Sequence, residues 1–220
     1  RTFGNRDLVI SNLTEINRYL VDTGEDLKDY LFVVYDATGR DESALAPAFP
    51  KLNIFELAGE NYGGGGNASF LAALVRLADQ QLADDSICEL ILWDDDAYIE
   101  PQMLLRHRGF VHFRRDNVAH TAMVMDEMNP SVVQEYGGIW GGYFARGTHQ
   151  LDLSLGQERR NFPYLVRHGR LLGRDVDALS AGQDIEFGTF IFLSVPMALM
   201  RNLEGPVPFF LRNDDVDFCL

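Results

Sequence analysis

The sequence predicts an α/β fold in which a mixed, mainly parallel sheet is flanked by helices. Two short apolar runs, YLFVVY at 30–35 and ELILW at 89–93, are typical of buried strands because each is too short for a helix and is followed by polar or turn residues. The segment 67–82 between them repeats apolar residues with a period of 3.6, which indicates a helix. Strands joined by helical crossovers are typical of a parallel sheet.

The remaining elements follow from the same patterns. Apolar residues near one face predict a helix over 6–20. A helix is expected to start near Pro101, and either Asn67 or Ser69 is expected to cap the 67–82 helix. The rest of the assignment is a short strand at 54–57, strands or turns at 117–125 and 137–145, loops with short helices at 158–179, an apolar strand at 187–195 and a short helix at 196–203.

Length and composition limit the function classes. The 220 residues suit one domain, and the net charge of −14 argues against a nucleic-acid partner, which needs a basic surface. Cys88 and Cys219 form no CxxC pattern, so we expect neither a zinc site nor a disulfide framework. The absence of a disulfide framework favours a reducing compartment. No apolar run reaches 18 residues and no signal peptide is visible, so no membrane-spanning helix is predicted.

Three consecutive aspartates, Asp94, Asp95 and Asp96, come directly after the second predicted strand, and Asp36 ends the first. Ligands of parallel sheets bind beyond the carboxyl ends of the strands. Mg²⁺ or Mn²⁺ takes one or two carboxylates together with substrate phosphates. If strand alternation continues, Asp94 and Asp96 face one ligand. We therefore expect a divalent cation on a diphosphate; the alternative is a solvated acidic loop.

Four glycines at 63–66 lie between a short strand and a helix, in ENYGGGGNASF. This position lets the backbone approach a ligand, and a helix N-terminus favours an anion. The run is no P-loop because neither Lys-Ser nor Lys-Thr follows, and the dinucleotide fingerprint fits poorly. Gly63, Gly64 and Asn61, which either caps the helix or binds a ligand, are therefore candidate site residues; the alternative is a flexible turn.

The pair Asp214 and Asp215 is the candidate for acid–base chemistry. A carboxylate near a metal-bound donor can accept the proton of an incoming hydroxyl, whereas the alternative is another solvated turn. None of the five histidines is predicted to be a ligand. Aromatic residues that either stack on a sugar or belong to the core are Trp140, Tyr143, Phe144, Phe187 and Phe190.

Five segments occur in a familiar order and spacing: TFGNR, LFVVYDATGRD, ENYGGGGNASFLAAL, LILWDDDAYIEP and VPFFLRNDDVDFCL. Together they resemble family 2 glycosyltransferases with the GT-A fold, and bacterial galactofuranosyltransferases in particular. The resemblance covers nearly the whole chain. The aspartate triplet is shared by many GT-A enzymes, whereas the Asn-x-Gly-Gly-x-Gly element and the terminal FFxRxDDxxF are more specific.

The resemblance implies one GT-A domain over 1–220, with a nucleotide-sugar-binding half at 1–116 and an acceptor-side half at 117–220. The implied reaction is an inverting transfer of a sugar, with galactofuranose favoured, from a UDP-sugar to a glycan or a lipid-linked acceptor. A first strand before Arg1 and a metal-binding histidine beyond Leu220 are also implied, so we expect the chain to be a piece of a longer one.

The residue roles implied by the resemblance concern the donor, the metal and the acceptor. Asp36 and Asn61, with Gly63 and Gly64, hold the nucleotide, and Arg6 contacts the diphosphate. Asp94 and Asp96 hold Mn²⁺ or Mg²⁺, Asp95 lies near the sugar or ribose, Asp215 is the general base and Asp214 lies beside it on the acceptor.

Two other function classes stay open. A nucleotidyltransferase also places carboxylates and Mg²⁺ at a sheet edge, but the basic, Gly-rich N-terminal signature that it needs is not found in the sequence. The second open class is a non-catalytic sugar-binding module on a transferase-like fold. The expected location is cytoplasmic, with peripheral contact at the inner face of the cell membrane if the acceptor is lipid-linked. The pattern predicts no oligomeric state.

Overall fold

The computed structural model of the protein describes residues 5–38, 44–81, 87–113, 118–122, 124–125, 133–135, 138–140, 145–147, 165–167, 170–172 and 190–202. In this part of the chain the helices are α1 (Arg6–Thr23), α2 (Gly63–Gln81), α3 (Pro101–Val111) and α4 (Met197–Met200), with a 3-10 turn at Ala46–Ala48. The strands are β1 (Leu31–Asp36), β2 (Asn53–Ala58), β3 (Glu89–Trp93), β4 (His120–Thr121), β5 (Val124–Met125), β6 (Val133–Glu135), β7 (Gly138–Trp140), β8 (Ala145–Gly147), β9 (Leu165–Arg167), β10 (Arg170–Leu172) and β11 (Phe192–Pro196).

The strands form a mixed α/β architecture. β1 pairs with β2 in parallel, and β11 pairs antiparallel with β3 on one side and with β4 on the other. β5–β6, β7–β8 and β9–β10 are antiparallel pairs. The expectation of a mainly parallel sheet is wrong for these described pairs, because β11 comes from far along the chain and returns in the opposite direction beside β3.

The pleat of β1 and β3 shows how the layers are arranged. Phe32 and Val34 of β1 pack in one cluster with Ile91 and Trp93 of β3, and this cluster contains the apolar stripe of α1 and Leu104 of α3. The alternate residues of both strands pack in clusters that contain α2. Successive side chains of a strand point to opposite faces. The β1–β2 and β3–β11–β4 sheets therefore lie in one layer between α1 and α3 on one face and α2 on the other.

The first helix is longer than the period predicts. α1 continues to Thr23, three residues beyond the expected end at Leu20. It ends because Gly24 adopts a left-handed conformation, with φ of 72°, and donates its N–H to the carbonyl oxygen of Leu20 at 3.1 Å. Glycine tolerates this backbone angle at no steric cost, so the stop signal is Gly24 rather than the last apolar residue.

The second helix begins four residues before its predicted start. Gly63, with φ of 77°, is its first residue, so the four glycines form the first turn of α2 instead of a loop before it. The predicted caps at Asn67 and Ser69 are wrong, because both residues lie inside the helix. Asn61 accepts the N–H of Gly63 at 2.9 Å, and Asn67 reaches back to accept the N–H of Tyr62 at 3.1 Å. These two amides therefore accept the backbone N–H groups of the first helical residue and of the residue before it.

A buried polar network joins α3 to the strands. The Nδ1 atom of His107 lies 3.0 Å from the hydroxyl of Tyr30, which immediately precedes β1, and Nε2 lies 2.8 Å from Oγ of Ser194 in β11. Ser194 donates to the carboxylate of Glu89, the first residue of β3. Burial, followed by the charge of Glu89, raises the pKa of Tyr30 to about 12. His107 thus holds the amino ends of β1 and β3 at one edge of the layer.

Candidate functional site

The last residue of β1, Asp36, is a buried carboxylate that accepts hydrogen bonds on both of its oxygens. One oxygen accepts the backbone N–H of Thr38 at 2.9 Å and its hydroxyl at 2.7 Å, and the other accepts Nη1 of Arg6 at 3.0 Å. Burial alone would raise the pKa of Asp36, but the Thr38 hydrogen bonds and the Arg6 charge outweigh it and lower that pKa. Asp36 is therefore held as a carboxylate at the strand end.

Arg6 is the first residue of α1 and connects that helix to both parallel strands. Besides Asp36, its guanidinium donates to the carboxylate of Glu56 in β2 at 3.4 Å. The other oxygen of Glu56 accepts the backbone N–H of Leu45. The side chain predicted to contact a diphosphate thus lies between two carboxylates at the end of the sheet.

The aspartate triplet lies in a tight turn. β3 ends at Trp93, and the N–H of Ala97 donates to the carbonyl oxygen of Asp94 at 3.2 Å. Strand alternation therefore stops before the triplet, and the argument that alternation turns Asp94 and Asp96 to one side does not apply. Asp94 and Asp95 are half-buried and Asp96 is exposed. We call residues 94–97 the acidic turn.

The acidic turn is fastened at its far end through one carbonyl group. The oxygen of Ala97 accepts Nδ2 of Asn12 at 3.0 Å and Nε1 of Trp93 at 2.9 Å. Asn12 is a buried polar residue of α1, and Trp93 packs against the core beneath that helix. The turn is thus held by a helix and by the strand that precedes it.

Asp36 and the acidic turn lie at the same edge of the layer. Arg6 contacts Asp36 and Asn12 contacts Ala97, and six residues of one helix separate the two contacts by about 9 Å along its axis. Because His107 holds the amino ends of β1 and β3 at the opposite edge, these two strands run in the same direction.

The loop that leaves β2 joins this edge. The N–H of Gly59 donates to the carbonyl oxygen of Asp36 at 3.0 Å, and the hydroxyl of Tyr35 donates to the carbonyl oxygen of Glu60 at 2.7 Å. Asn61 follows directly, so it and the glycine-rich start of α2 lie beyond the carboxyl end of β2. The oxygen of Asn61 serves as a helix cap, which leaves its amide N–H groups for a ligand.

The donor set of the acidic turn fits a hard divalent cation that shares its coordination with substrate. Asp94 and Asp96 offer carboxylate oxygens, which Mg²⁺ and Mn²⁺ prefer. Over the ranges that the structure describes, no three or more His, Cys, Asp or Glu residues group so as to hold a metal. Two carboxylates are the usual protein share for a cation that also takes phosphate oxygens.

Several predicted site residues lie outside the described residues, among them Asp214, Asp215, Tyr143, Phe144 and Phe187, and Trp140 is described only as part of β7. Phe190 is described, and with 4% exposure it packs in the core cluster of α2, β3 and β11. Of the two readings of this aromatic residue, sugar stacking and core packing, the structure therefore supports core packing.

Four residues of the site were missed by sequence reasoning: Asn12, Thr38, Glu56 and Trp93. Thr38 has a recognisable signal, because an Asp followed two residues later by Thr after a strand favours a side-chain turn. Asn12 also has a recognisable signal, because it is a polar residue at a position that belongs to the same buried helix face as Ile16 and Leu20. Glu56 carries no local signal, because its contact with Arg6 depends on a distant segment. Trp93 donates to a carbonyl oxygen only four residues away, but no residue type in 93–97 marks that hydrogen bond in advance.

No protein-family model matches this chain, and no curated protein matches it either. The resemblance to family 2 glycosyltransferases therefore stays an expectation from the motifs alone. Along the described ranges, none of the helices combines the length and the apolarity needed to cross a membrane.

Proposed function

We propose that the chain is an inverting, metal-dependent glycosyltransferase of GT-A architecture. The donor is a UDP-sugar, with UDP-galactofuranose favoured, and the acceptor is a glycan or a lipid-linked glycan. The observation that carries the proposal is the placement of Asp36 and the acidic turn at one edge, both connected to α1. Ligands of α/β sheets bind at such carboxyl-end edges, which supports a donor site there.

Donor binding is assigned to the groups at this edge. The Asp36 carboxylate has lone pairs beyond those that Thr38 and Arg6 occupy, so it can also accept an N–H or O–H of the uridine part. Asn61 offers its amide N–H groups to the same ligand. Arg6 is the cationic side chain that the resemblance assigns to the diphosphate, and the N-terminus of α2 favours an anion beyond Gly63 and Gly64.

The proposed chemistry is one in-line displacement. Asp215 accepts the proton of the acceptor hydroxyl as its oxygen attacks the anomeric carbon, and Asp214 orients that acceptor. The bond to the diphosphate breaks on the opposite face, which inverts the configuration. Asp94 and Asp96 would hold Mn²⁺ or Mg²⁺, which supplies charge stabilisation for the departing diphosphate when bound. Asp95 lies beside the sugar or ribose.

A thermal-shift screen of nucleotides tests the proposal. Ligands that bind only the folded chain stabilise it by mass action and so raise its melting temperature. At a ligand concentration of 100 Kd the added stability is about 2.7 kcal/mol. UDP with Mn²⁺ is expected to stabilise the chain selectively, and EDTA is expected to remove most of the shift. Selective stabilisation by a nucleoside triphosphate would instead support a nucleotidyltransferase.

Two variants separate binding from chemistry. Asp96→Ala is expected to weaken UDP binding in Mn²⁺ and to lower transfer by at least about 100-fold, while Asp22→Ala on the exposed face of α1 serves as its control. Asp215→Asn is expected to retain UDP binding and lose transfer. Unchanged turnover in Asp96→Ala would refute the metal role, and loss of UDP binding in Asp215→Asn would place that residue in the donor site instead.

A further inference from the structure

The carbonyl oxygen of Ala97 is the point at which the acidic turn is attached to the core. It accepts two side-chain hydrogen bonds, from Nδ2 of Asn12 at 3.0 Å and from Nε1 of Trp93 at 2.9 Å. The same residue closes the turn, because its N–H donates to the backbone carbonyl oxygen of Asp94 at 3.2 Å. The position of Ala97 therefore determines the path of the backbone that carries Asp94 to Asp96.

The two donors come from residues that pack in the core. Asn12 is buried on α1 between core residues, and the Trp93 ring packs in the same cluster. A buried amide on an otherwise apolar helix face costs stability unless it is hydrogen-bonded. Ala97 provides the hydrogen bond that the structure shows for the Asn12 amide, across 85 residues of sequence.

We propose that Asn12 and Trp93 are positioning residues for the divalent cation of the donor site, acting through Ala97 on the carboxylates of Asp94 and Asp96. This inference rests on the proposed function. Neither side chain touches the cation or the donor. They hold the backbone of the turn that carries both carboxylates, and so lower the entropy lost when the two side chains are ordered by metal binding.

The test compares UDP affinity with and without metal in matched variants of the whole chain. Asn12→Ala removes the hydrogen bond to Ala97. Its control is Asn17→Ala, the same substitution on the same helix, which removes a hydrogen bond from the N–H of Lys51 at 3.1 Å. Trp93→Phe removes the second donor and keeps an aromatic ring. Calorimetry would measure the Kd of UDP in Mn²⁺ and in EDTA, and urea unfolding would confirm that each variant is folded.

Asn12→Ala and Trp93→Phe are each expected to weaken UDP binding about 10- to 100-fold in Mn²⁺, the range seen when groups that hold metal ligands in place are removed, and to leave the Kd in EDTA unchanged. Asn17→Ala should change neither value. Equal losses in Mn²⁺ and EDTA, or no loss in either variant, would overturn the positioning role alone. A wild-type chain that binds UDP no better in Mn²⁺ than in EDTA would overturn the proposed function and this inference with it.

Discussion

Arg6, the first residue of α1, and Asp36, the last residue of β1, form an ion pair with 3.0 Å between Nη1 and Oδ2. Their side chains are 14% and 6% exposed, so water screens the pair only weakly. The pair fixes the start of a helix to the end of a strand at the edge where the donor site is proposed. The contribution of this ion pair to stability can be measured independently of the proposed function.

Arg6→Ala is expected to lower the free energy of unfolding by about 2 kcal/mol, because the Asp36 carboxylate stays buried and, among the described residues, keeps Thr38 alone as a hydrogen-bond donor. Urea unfolding would measure the loss. Arg18→Ala is the matched control, since Arg18 and Glu15 form an exposed pair at the same 3.0 Å. That variant should stay within about 0.5 kcal/mol of wild type, and equal losses in both would contradict the role of burial.

The pH dependence of stability is expected to contain a contribution from Asp36. Its pKa is lowered in the folded state, so the folded chain binds fewer protons than the unfolded chain in the window just below the ordinary value of about 3.9. The stability that the carboxylate contributes is complete above this value and is lost as the pH falls through the lowered pKa.

Unfolding of wild type and Asp36→Asn over a series of pH values would measure this contribution. The difference in unfolding free energy should be largest near pH 6 and should shrink below about pH 4. Thr38→Val, which removes the hydroxyl at 2.7 Å, should move the pKa of Asp36 towards its ordinary value. A difference that stays constant with pH would count against a lowered pKa.

Two glycine-to-alanine variants are expected to have opposite effects. A Cβ at Gly59 would lie 2.5 Å from the buried Tyr35 hydroxyl, which donates to Glu60, so Gly59→Ala should cost about 1–3 kcal/mol. A Cβ at Gly109, inside α3, meets nothing within 4 Å, so Gly109→Ala should stabilise by about 0.5–1 kcal/mol.

Thermal and urea unfolding of the two variants would measure these signs. Adding Tyr35→Phe to Gly59→Ala should recover part of the loss, because the clashing oxygen is removed. If Tyr35→Phe recovers none of the loss in Gly59→Ala, the contact with the Tyr35 hydroxyl is not the cause.

His107→Phe is expected to lower the free energy of unfolding by about 2–4 kcal/mol. The ring volume is largely kept, but Tyr30 and Ser194 lose a partner and the Glu89 carboxylate stays buried beside them. Urea unfolding would measure the change. The control is His112→Phe at the exposed end of the same helix, where a change within about 0.5 kcal/mol is expected. A loss no larger than in the control would mean that the network contributes little.

Local pattern was sufficient where burial alone defines an element. The 89–93 strand has the bounds that the sequence predicts, and α1 and α3 begin at the expected residues, Arg6 and Pro101. Periodicity identifies such elements because each strand or helix must bury one face. The same reasoning placed Asp36 and the triplet at strand ends. The pattern of a single strand does not predict which other strand ends lie beside it.

Pairing and partnership were decided by contacts between distant segments. β11 lies next to β3 although about a hundred residues separate them, and no period within either strand selects an antiparallel partner. His107 lies between Arg106 and Arg108 in the sequence, which suggests an exposed basic group. It is buried instead, because its position three residues after Leu104 places it on the buried face of α3. A polar side chain enters a core only where partners from other elements satisfy it.

The sequence by itself determined the buried strands, the helical stripes and the acidic residues that follow the strands, because these depend on the period of apolar residues along a local segment. Only the tertiary structure decided that Arg6 lies between Asp36 and Glu56 and that Asn12 and Trp93 share the Ala97 carbonyl. The hydrogen bonds of Arg6 and Asn12 join residues 30 to 85 positions apart, and the relative placement of α1 and the sheet must exist before their geometry is defined.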